Sequence, residues 1–139
     1  ITARDREGVA MLLKRADPLN KWAMLGYYYC TPGRLLGAGA ALLGEPDQAR
    51  GYYQQAIEAC EKIRFRTEFA LARLQLAELL LDEAAKPAPF GRPPSDDNDP
   101  ATLHAEAIAH LDFAIAECRD MKMQPSLERA LRRRELLKA

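Results

Sequence analysis

Two amphipathic segments separated by a Gly-Glu-Pro break constrain this chain more than any other feature. Across residues 31–63, small or apolar residues recur every three or four positions, which is typical of helices with one buried face. Gly44 favours the end of a first helix, and Pro46 favours the first turn of a second helix two residues later. Thr31 and Pro32 predict the cap and the first turn of the first helix. We therefore expect a tight pair of antiparallel helices.

The small and aromatic residues of these two segments fall in one register. They are Gly37, Ala40, Gly44, Ala49, Tyr53 and Ala56. This register resembles the tetratricopeptide (TPR) signature, a repeat of about 34 residues that forms two helices. Small residues at these places let two helix backbones approach closely. The early Trp of that family is absent, with Gly33 near its place, so the chain resembles a degenerate member. The resemblance implies antiparallel helix pairs stacked as a right-handed α-solenoid.

The chain also contains an internal repeat. The segment that starts at Tyr52 matches the one that starts at His110, at an offset of 110 − 52 = 58 residues. The matched pairs are Ala56 with Ala114, Ile57 with Ile115, and Cys60 with Cys118. The offset exceeds one TPR repeat by about 24 residues. A Pro-rich segment, 86–100, accounts for the excess and is interpreted as an insertion into the second repeat. It is either a tolerated surface loop or a contact element for another domain or partner.

The rest of the chain is assigned to the same array. Residues 67–85 predict a helix that is apolar nearly all round, with one narrow polar stripe formed by Glu68, Gln75 and Asp82. Such a helix is expected to be buried between its neighbours. Asp17-Pro18 is expected to end a first helix, because proline breaks helices. The predicted organisation is a single TPR-like domain over 1–139, with a truncated repeat helix at 2–16, repeat 1 at 31–63, repeat 2 at 67–121 with the insertion 86–100, and a capping helix at 125–138.

Composition excludes several classes of function. The chain has 20 basic and 20 acidic residues and no net charge, so nothing favours binding to nucleic acid through the whole chain. No apolar run approaches the roughly 18 residues of a membrane span. Three cysteines without a CxxC pair indicate reduced thiols and a cytoplasmic location. Because the sequence begins at Ile1 instead of Met, we expect a fragment of a longer protein.

Residues suited to catalysis or metal binding are few. His104 and His110 are six positions apart and do not share a helix face, whereas a zinc pair needs a spacing of four. His110 is expected to pair with Glu106 at the surface. Cys60 and Cys118 occupy the same repeat position, which indicates packing. We therefore predict no enzyme activity, no cofactor and no metal site.

Three further patterns each have a structural interpretation. Gly33, Gly37 and Gly39 lie within a predicted helix and indicate helix packing instead of a phosphate loop. The acidic run 96–99 lacks the glycine and the glutamate of a calcium loop. The last helix ends in a basic group, which is either a solvated face or a docking patch for an acidic partner or nucleic acid. Its members are Arg129, Arg132, Arg133, Arg134 and Lys138.

A narrower resemblance concerns the motifs RLLG at 34–37, ALLG at 41–44 and RLQLAELL at 73–80. They are similar to the C-terminal TPR regions of large bacterial ATP-dependent regulators with LuxR-type or nucleotide-cyclase domains. The resemblance implies a non-catalytic sensor or scaffold segment whose partner is a protein or peptide, or other domains of the same chain. TPR geometry would line its groove with helix A positions, here Arg34, Ala38, Ala41 and Glu78.

Two alternative functions remain open from the sequence. Exposed ends of a helical array can stack on copies of themselves, so the segment could set a homo-oligomeric state. Residues 19–30 hold Trp22, Tyr27, Tyr28 and Tyr29, which would either pack over the first hairpin or form an aromatic wall for a small ligand or peptide.

Overall fold

The computed structural model is all-helical over the residues that it describes, 3–20, 31–86 and 99–137, with the side chains of 5–15 in the first range. The helices are α1 Ala3–Asn20, α2 Pro32–Leu43, α3 Pro46–Ile63, α4 Arg66–Ala84, α5 Pro100–Asp120 and α6 Gln124–Leu136. The predicted all-α class is therefore confirmed. Stacking of the helices as a right-handed α-solenoid stays a prediction.

The chain divides into two compact units, residues 1–72 and 73–139, which we call unit 1 and unit 2. In unit 1, α2 packs against both α1 and α3. In unit 2, α5 packs against α6. The division falls within α4, whose first turns belong to unit 1 and whose remainder belongs to unit 2.

The predicted hairpin of α2 and α3 is confirmed, including its turn. Gly44 adopts a left-handed conformation with φ of 84°, which glycine reaches without a Cβ clash. Its amide donates to the Ala41 carbonyl, and the Glu45 amide donates to the Ala40 carbonyl. These two bonds form a Schellman motif, which satisfies the last carbonyls of α2 and turns the chain into α3.

Two glycines let α2 approach α3 closely. A Cβ on Gly33 would lie 2.8 Å from the Tyr52 carbonyl oxygen, and one on Gly37 would lie 2.7 Å from the Tyr53 ring. Real Cβ atoms essentially never show such distances, so only glycine fits at either position without a shift of its neighbour. The prediction that these glycines serve helix packing is confirmed.

Two helix ends in the backbone lie at the offset of the internal repeat predicted from the sequence. Arg64 follows α3 with φ of 56°, and Lys122 follows α5 with φ of 57°, 58 positions later (122 − 64). Each closes a Schellman motif whose longer bond ends on a cysteine carbonyl: Phe65 to Cys60 at 2.9 Å, and Met123 to Cys118 at 2.8 Å. Both cysteines are buried. The offset found in the sequence therefore marks equivalent helix ends.

The helix beginnings and ends differ from the predictions in two respects. α1 continues through Asp17 and Pro18 to Asn20, so the expected end at residue 16 is wrong. Thr31 occupies the N-cap position of α2, but its side chain does not cap the helix. Its hydroxyl is used elsewhere, as described below. Residues 21–30 and 87–98, with the aromatic cluster, Cys30, the acidic run at 96–98 and most of the Pro-rich insertion, lie outside the described residues.

The buried character of α4 is confirmed, and it extends to one residue of the polar stripe. The buried apolar residues occur all round the helix: Ala70, Ala72, Leu74, Leu76, Ala77, Leu80 and Leu81. Asp82 is exposed, whereas Glu68 is 0% exposed. A spacing of seven therefore does not place all three polar residues in solvent.

Candidate protein-binding surface

The solvent side of α2 presents an apolar strip. Leu35 and Leu42 are one heptad apart, and 56% and 54% of their surface is exposed. Ala38 and Ala41 lie on the same side and are half-buried. We call Leu35, Ala38, Ala41 and Leu42 the α2 outer face. It contains two of the four residues predicted to bind a partner, and it has no charged side chain.

Arg34, the third predicted partner-binding residue, is engaged within unit 1. Its Nε donates to Oε1 of Glu68 at 2.6 Å, and its side chain is only 16% exposed. The same carboxylate oxygen accepts the Thr31 amide at 2.6 Å and the Thr31 hydroxyl at 3.3 Å. We call Thr31, Arg34 and Glu68 the Glu68 clamp. It places a carboxylate at the N-terminus of α2, where the helix dipole favours negative charge.

The Glu68 clamp also acts on a neighbouring buried thiol, Cys60. Burial raises the pKa of Cys60 to about 11, and the Glu68 carboxylate adds to this rise. The Arg34 charge and a hydrogen bond with Thr31 act in the opposite direction. The thiolate is the reactive form of cysteine, so Cys60 is unreactive near neutral pH. This agrees with the packing role that its repeat position indicates.

Glu78, the fourth predicted residue, belongs to unit 2 and is also engaged. Its carboxylate accepts two hydrogen bonds from Arg129, one of them 2.6 Å from Nε to Oε1. Arg133 approaches the same carboxylate at 3.9 Å. The structure thus brings Arg34, Ala38 and Ala41 together on one helix of unit 1, with Glu78 in unit 2. A groove shared by the four stays a prediction.

The basic group at the end of the chain is largely paired with acidic residues of unit 2. In addition to the bonds of Arg129, Arg133 Nη1 lies 3.4 Å from Asp82, and Arg134 Nε lies 2.9 Å from Asp112. These pairs fix α6 against α4 and α5. Because three of its arginines already face carboxylates, the group is poorly suited to dock an acidic partner.

The role of Glu68 was not predicted from the sequence. Its spacing from Gln75 and Asp82 is that of a solvated stripe, and position alone does not show that the first of the three is buried. One signal was present: Glu68 follows Arg34 by 68 − 34 = 34 residues, so in the predicted TPR register the two would occupy equivalent positions on successive first helices. Opposite charges at such positions suit a contact between repeats.

Unit 2 contains a titratable group with a shifted pKa. Burial lowers the pKa of His110, the Arg73 charge lowers it further, and Glu106 opposes both. His110 Nε2 lies 3.7 Å from Glu106, so the predicted pair is present, although only 17% of the His110 side chain is exposed. Arg73 stacks over the Phe113 ring at 4.2 Å from its centre.

No group of three or more Cys, His, Asp and Glu side chains in the described ranges could hold a metal ion. His104 is exposed, and Cys118 is buried with a pKa raised by burial and by Glu117. Unit 1 contains one further feature, a cleft between α1 and the turn that joins α2 to α3. It is lined in part by Lys14, Glu45 and Tyr52.

Comparison of the chain with protein-family models, curated proteins and solved structures gives no match. The likeness to TPR repeats therefore rests on the sequence positions given above. Over the described parts of the chain, no helix combines the length and the apolar character needed to cross a bilayer.

Proposed function

We propose that this chain is a non-catalytic protein–protein interaction segment and that its partner docks on the α2 outer face. The supporting observation is the pair Leu35 and Leu42, both more than half exposed on a helix whose other side is closely packed. An apolar strip that remains in solvent on a preformed helix is a candidate interaction surface.

The α2 outer face is preformed. Close packing at Gly33 and Gly37 fixes the backbone of α2, and the Glu68 clamp fixes its first turn. A preformed surface loses little conformational entropy on binding. Covering the exposed parts of the two leucines would contribute roughly 2 kcal/mol, so further contacts around the strip must supply the rest of the affinity.

The chemistry of the strip suggests the class of partner. Its four residues are aliphatic and uncharged, so a complementary partner is an amphipathic helix or an extended peptide that presents apolar side chains. Because the α2 outer face has no charge, we expect the dissociation constant to change little with ionic strength.

On the sequence resemblance, we further propose that the segment belongs to a larger cytoplasmic bacterial signalling or transcriptional regulator. The parent reading frame tests this. A GxxxxGK[ST] motif upstream of Ile1 would support it, because that motif binds nucleotide phosphates. An initiator Met near Ile1 without another domain would contradict it.

The interaction proposal is tested with the variants Leu35→Glu and Leu42→Glu. A partner is first identified by cross-linking and mass spectrometry, and its dissociation constant is then measured by calorimetry. We expect each variant to weaken binding at least about tenfold, because a charge replaces a desolvated leucine. Leu136→Glu is the matched control, since Leu136 is a leucine of unit 2 that is 65% exposed. Equal affinity of all three variants would contradict docking on the α2 outer face.

Self-association is a second candidate, favoured by exposed leucines on the first and last helices. Leu12 on α1 is 68% exposed and Leu136 on α6 is 65% exposed. Light scattering over a range of protein concentrations tests it. A mass that rises with concentration and returns to that of the monomer in Leu12→Glu or Leu136→Glu would support self-association. A strict monomer at high concentration would contradict it.

A further inference from the structure

The cleft of unit 1 has the dimensions of a small-molecule site. Its volume is about 660 Å³, within the range of roughly 300–1,000 Å³ that is usual for ligand sites. One wall comes from α1. The other comes from the turn after α2 and from the first turns of α3. The α2 outer face and the cleft have no residue in common.

The two walls carry opposite charges. Lys14 lies on the α1 wall, and Glu45 and Asp47 lie on the α3 wall. All three are exposed. No described residue forms an ion pair or a side-chain hydrogen bond with any of them, and Glu45 does not cap α3 although it occupies the N-cap position. By contrast, Glu68 is in direct contact with the charge of Arg34, and Glu78 with that of Arg129.

Uncharged residues complete the lining of the cleft: Ala10, Leu13, Leu43, Gln48 and Tyr52. Leu13 and Tyr52 line it and are 7% and 5% exposed, so they are fixed parts of the core. Leu43 contributes from the end of α2, and its carbonyl oxygen accepts a 2.7 Å bond from Arg6. This bond ties α1 to the last turn of α2 and so holds one edge of the cleft.

We propose that the cleft binds a small zwitterion that carries an apolar side chain, namely a free amino acid or a short peptide. The ammonium group lies between Glu45 and Asp47, the carboxylate lies against Lys14, and the apolar side chain covers Leu13 and Tyr52. A ligand with both charges satisfies both walls. A singly charged ligand leaves one wall unmatched. This goes beyond the proposed protein–protein interaction, and either can fail without the other.

The test is a titration of the whole chain followed by ¹H–¹⁵N NMR. The probes are L-leucine and L-leucyl-L-leucine, compared with N-acetyl-L-leucine, which lacks the ammonium, and L-leucinamide, which lacks the carboxylate. We expect saturable shifts at the amides of Lys14 and Asp47 with at least one zwitterion, with a dissociation constant on the order of millimolar. Both singly charged analogues are expected to bind more weakly, by up to about fivefold. The better of the two zwitterions distinguishes a free amino acid from a peptide.

Matched variants locate the site. Lys14→Met and Asp47→Asn are expected to weaken zwitterion binding about fivefold. Lys62→Met and Glu58→Gln remove exposed charges of α3 that do not line the cleft, and they are expected to leave it unchanged. The proposal is overturned if neither zwitterion gives saturable shifts up to about 10 mM. It is also overturned if the analogues bind equally well, or if the control variants weaken binding as much as the cleft variants.

Discussion

Each unit contains a carboxylate of α4 that binds an arginine from another helix, but the two settings differ. Glu68 in unit 1 is 0% exposed and binds both Arg34 and the Thr31 backbone amide. Glu78 in unit 2 is 8% exposed, and its partner Arg129 has a side chain that is 55% exposed. The first contact is sealed from water at its carboxylate, and the second is open to water at its arginine.

This difference determines how much each contact should contribute. Removing one partner of a buried pair leaves an uncompensated charge and typically costs 3–5 kcal/mol. An exposed pair is screened by solvent and typically contributes no more than about 1 kcal/mol. Glu68 Oε2 has no hydrogen-bond partner within the described residues. The bonds to Oε1 are therefore the ones that compensate for burial of this carboxylate.

The largest effect is expected for Glu68→Gln. The substitution keeps the shape but removes the charge that pairs with Arg34, so the free energy of unfolding should fall by about 3 kcal/mol. Hydrogen exchange at the amides of α2 and α3, compared with those of α5 and α6, measures the loss in each unit. A loss below about 1 kcal/mol, or one that is equal in both units, would contradict the buried-clamp interpretation.

The next effect concerns the packing that the clamp secures. In Gly37→Ala, the new methyl group would lie 2.7 Å from the Tyr53 ring, so we expect a loss of about 2 kcal/mol in urea unfolding. Gly51→Ala is the matched control, because a Cβ there meets nothing within 4 Å. Alanine favours helix, so the control should gain up to about 1 kcal/mol. If Gly37→Ala instead raised the free energy of unfolding, α2 would be able to move away from α3, and the close-packing interpretation would be wrong.

A smaller effect is expected in unit 2 for Glu78→Gln. Arg129 remains solvated after the substitution, so the free energy of unfolding should fall by no more than about 1 kcal/mol. High salt should reduce the difference between this variant and the parent chain, because screening acts on exposed pairs. A loss as large as that of Glu68→Gln would remove the distinction between the two contacts.

The smallest effect is a pH dependence confined to unit 2. The pKa of His110 is lowered in the folded chain, so between that pKa and the unfolded value of 6.5 the unfolded chain binds more protons. Stability is therefore complete above pH 6.5 and falls as the pH drops through this window. Protonation would also place a donor on Nδ1, which is buried without a described partner.

Amide exchange of α5 and α6 at a series of pH values measures this loss. His110→Phe should abolish the component that arises from this residue. His104→Gln should retain it, because His104 is exposed. If the stability of His110→Phe still fell with decreasing pH as steeply as that of the parent chain, the pH dependence would arise from other groups.

Sequence patterns predicted the parts of the fold that local chemistry determines. Gly44 and Pro46 defined the turn of the hairpin because backbone conformation and a missing amide act within a few residues. The small residues Gly33 and Gly37 were correctly attributed to helix packing. The end of α1 was not predicted. Proline is the least favourable residue within a helix, but α1 continues through Pro18 to Asn20.

The long-range contacts were harder to predict. Thr31 was expected to cap its own helix, but its hydroxyl faces Glu68, a partner distant in sequence. Arg34 and Glu78 were selected as charges available to a partner, and both bind another side chain of the same unit. Helical periodicity shows which side of a helix is polar. It does not show which polar side chain meets a partner across an interface.

The two buried cysteines at equivalent helix ends can be used to measure local opening of the chain. A thiol reagent reaches Cys60 only when unit 1 opens and Cys118 only when unit 2 opens, so the labelling rate of each measures the opening equilibrium of its own unit. With Cys30 replaced by serine, two modification rates can be followed by mass spectrometry. Two distinct rates would mean that the units open independently, and one common rate would mean that the chain opens as a single cooperative body.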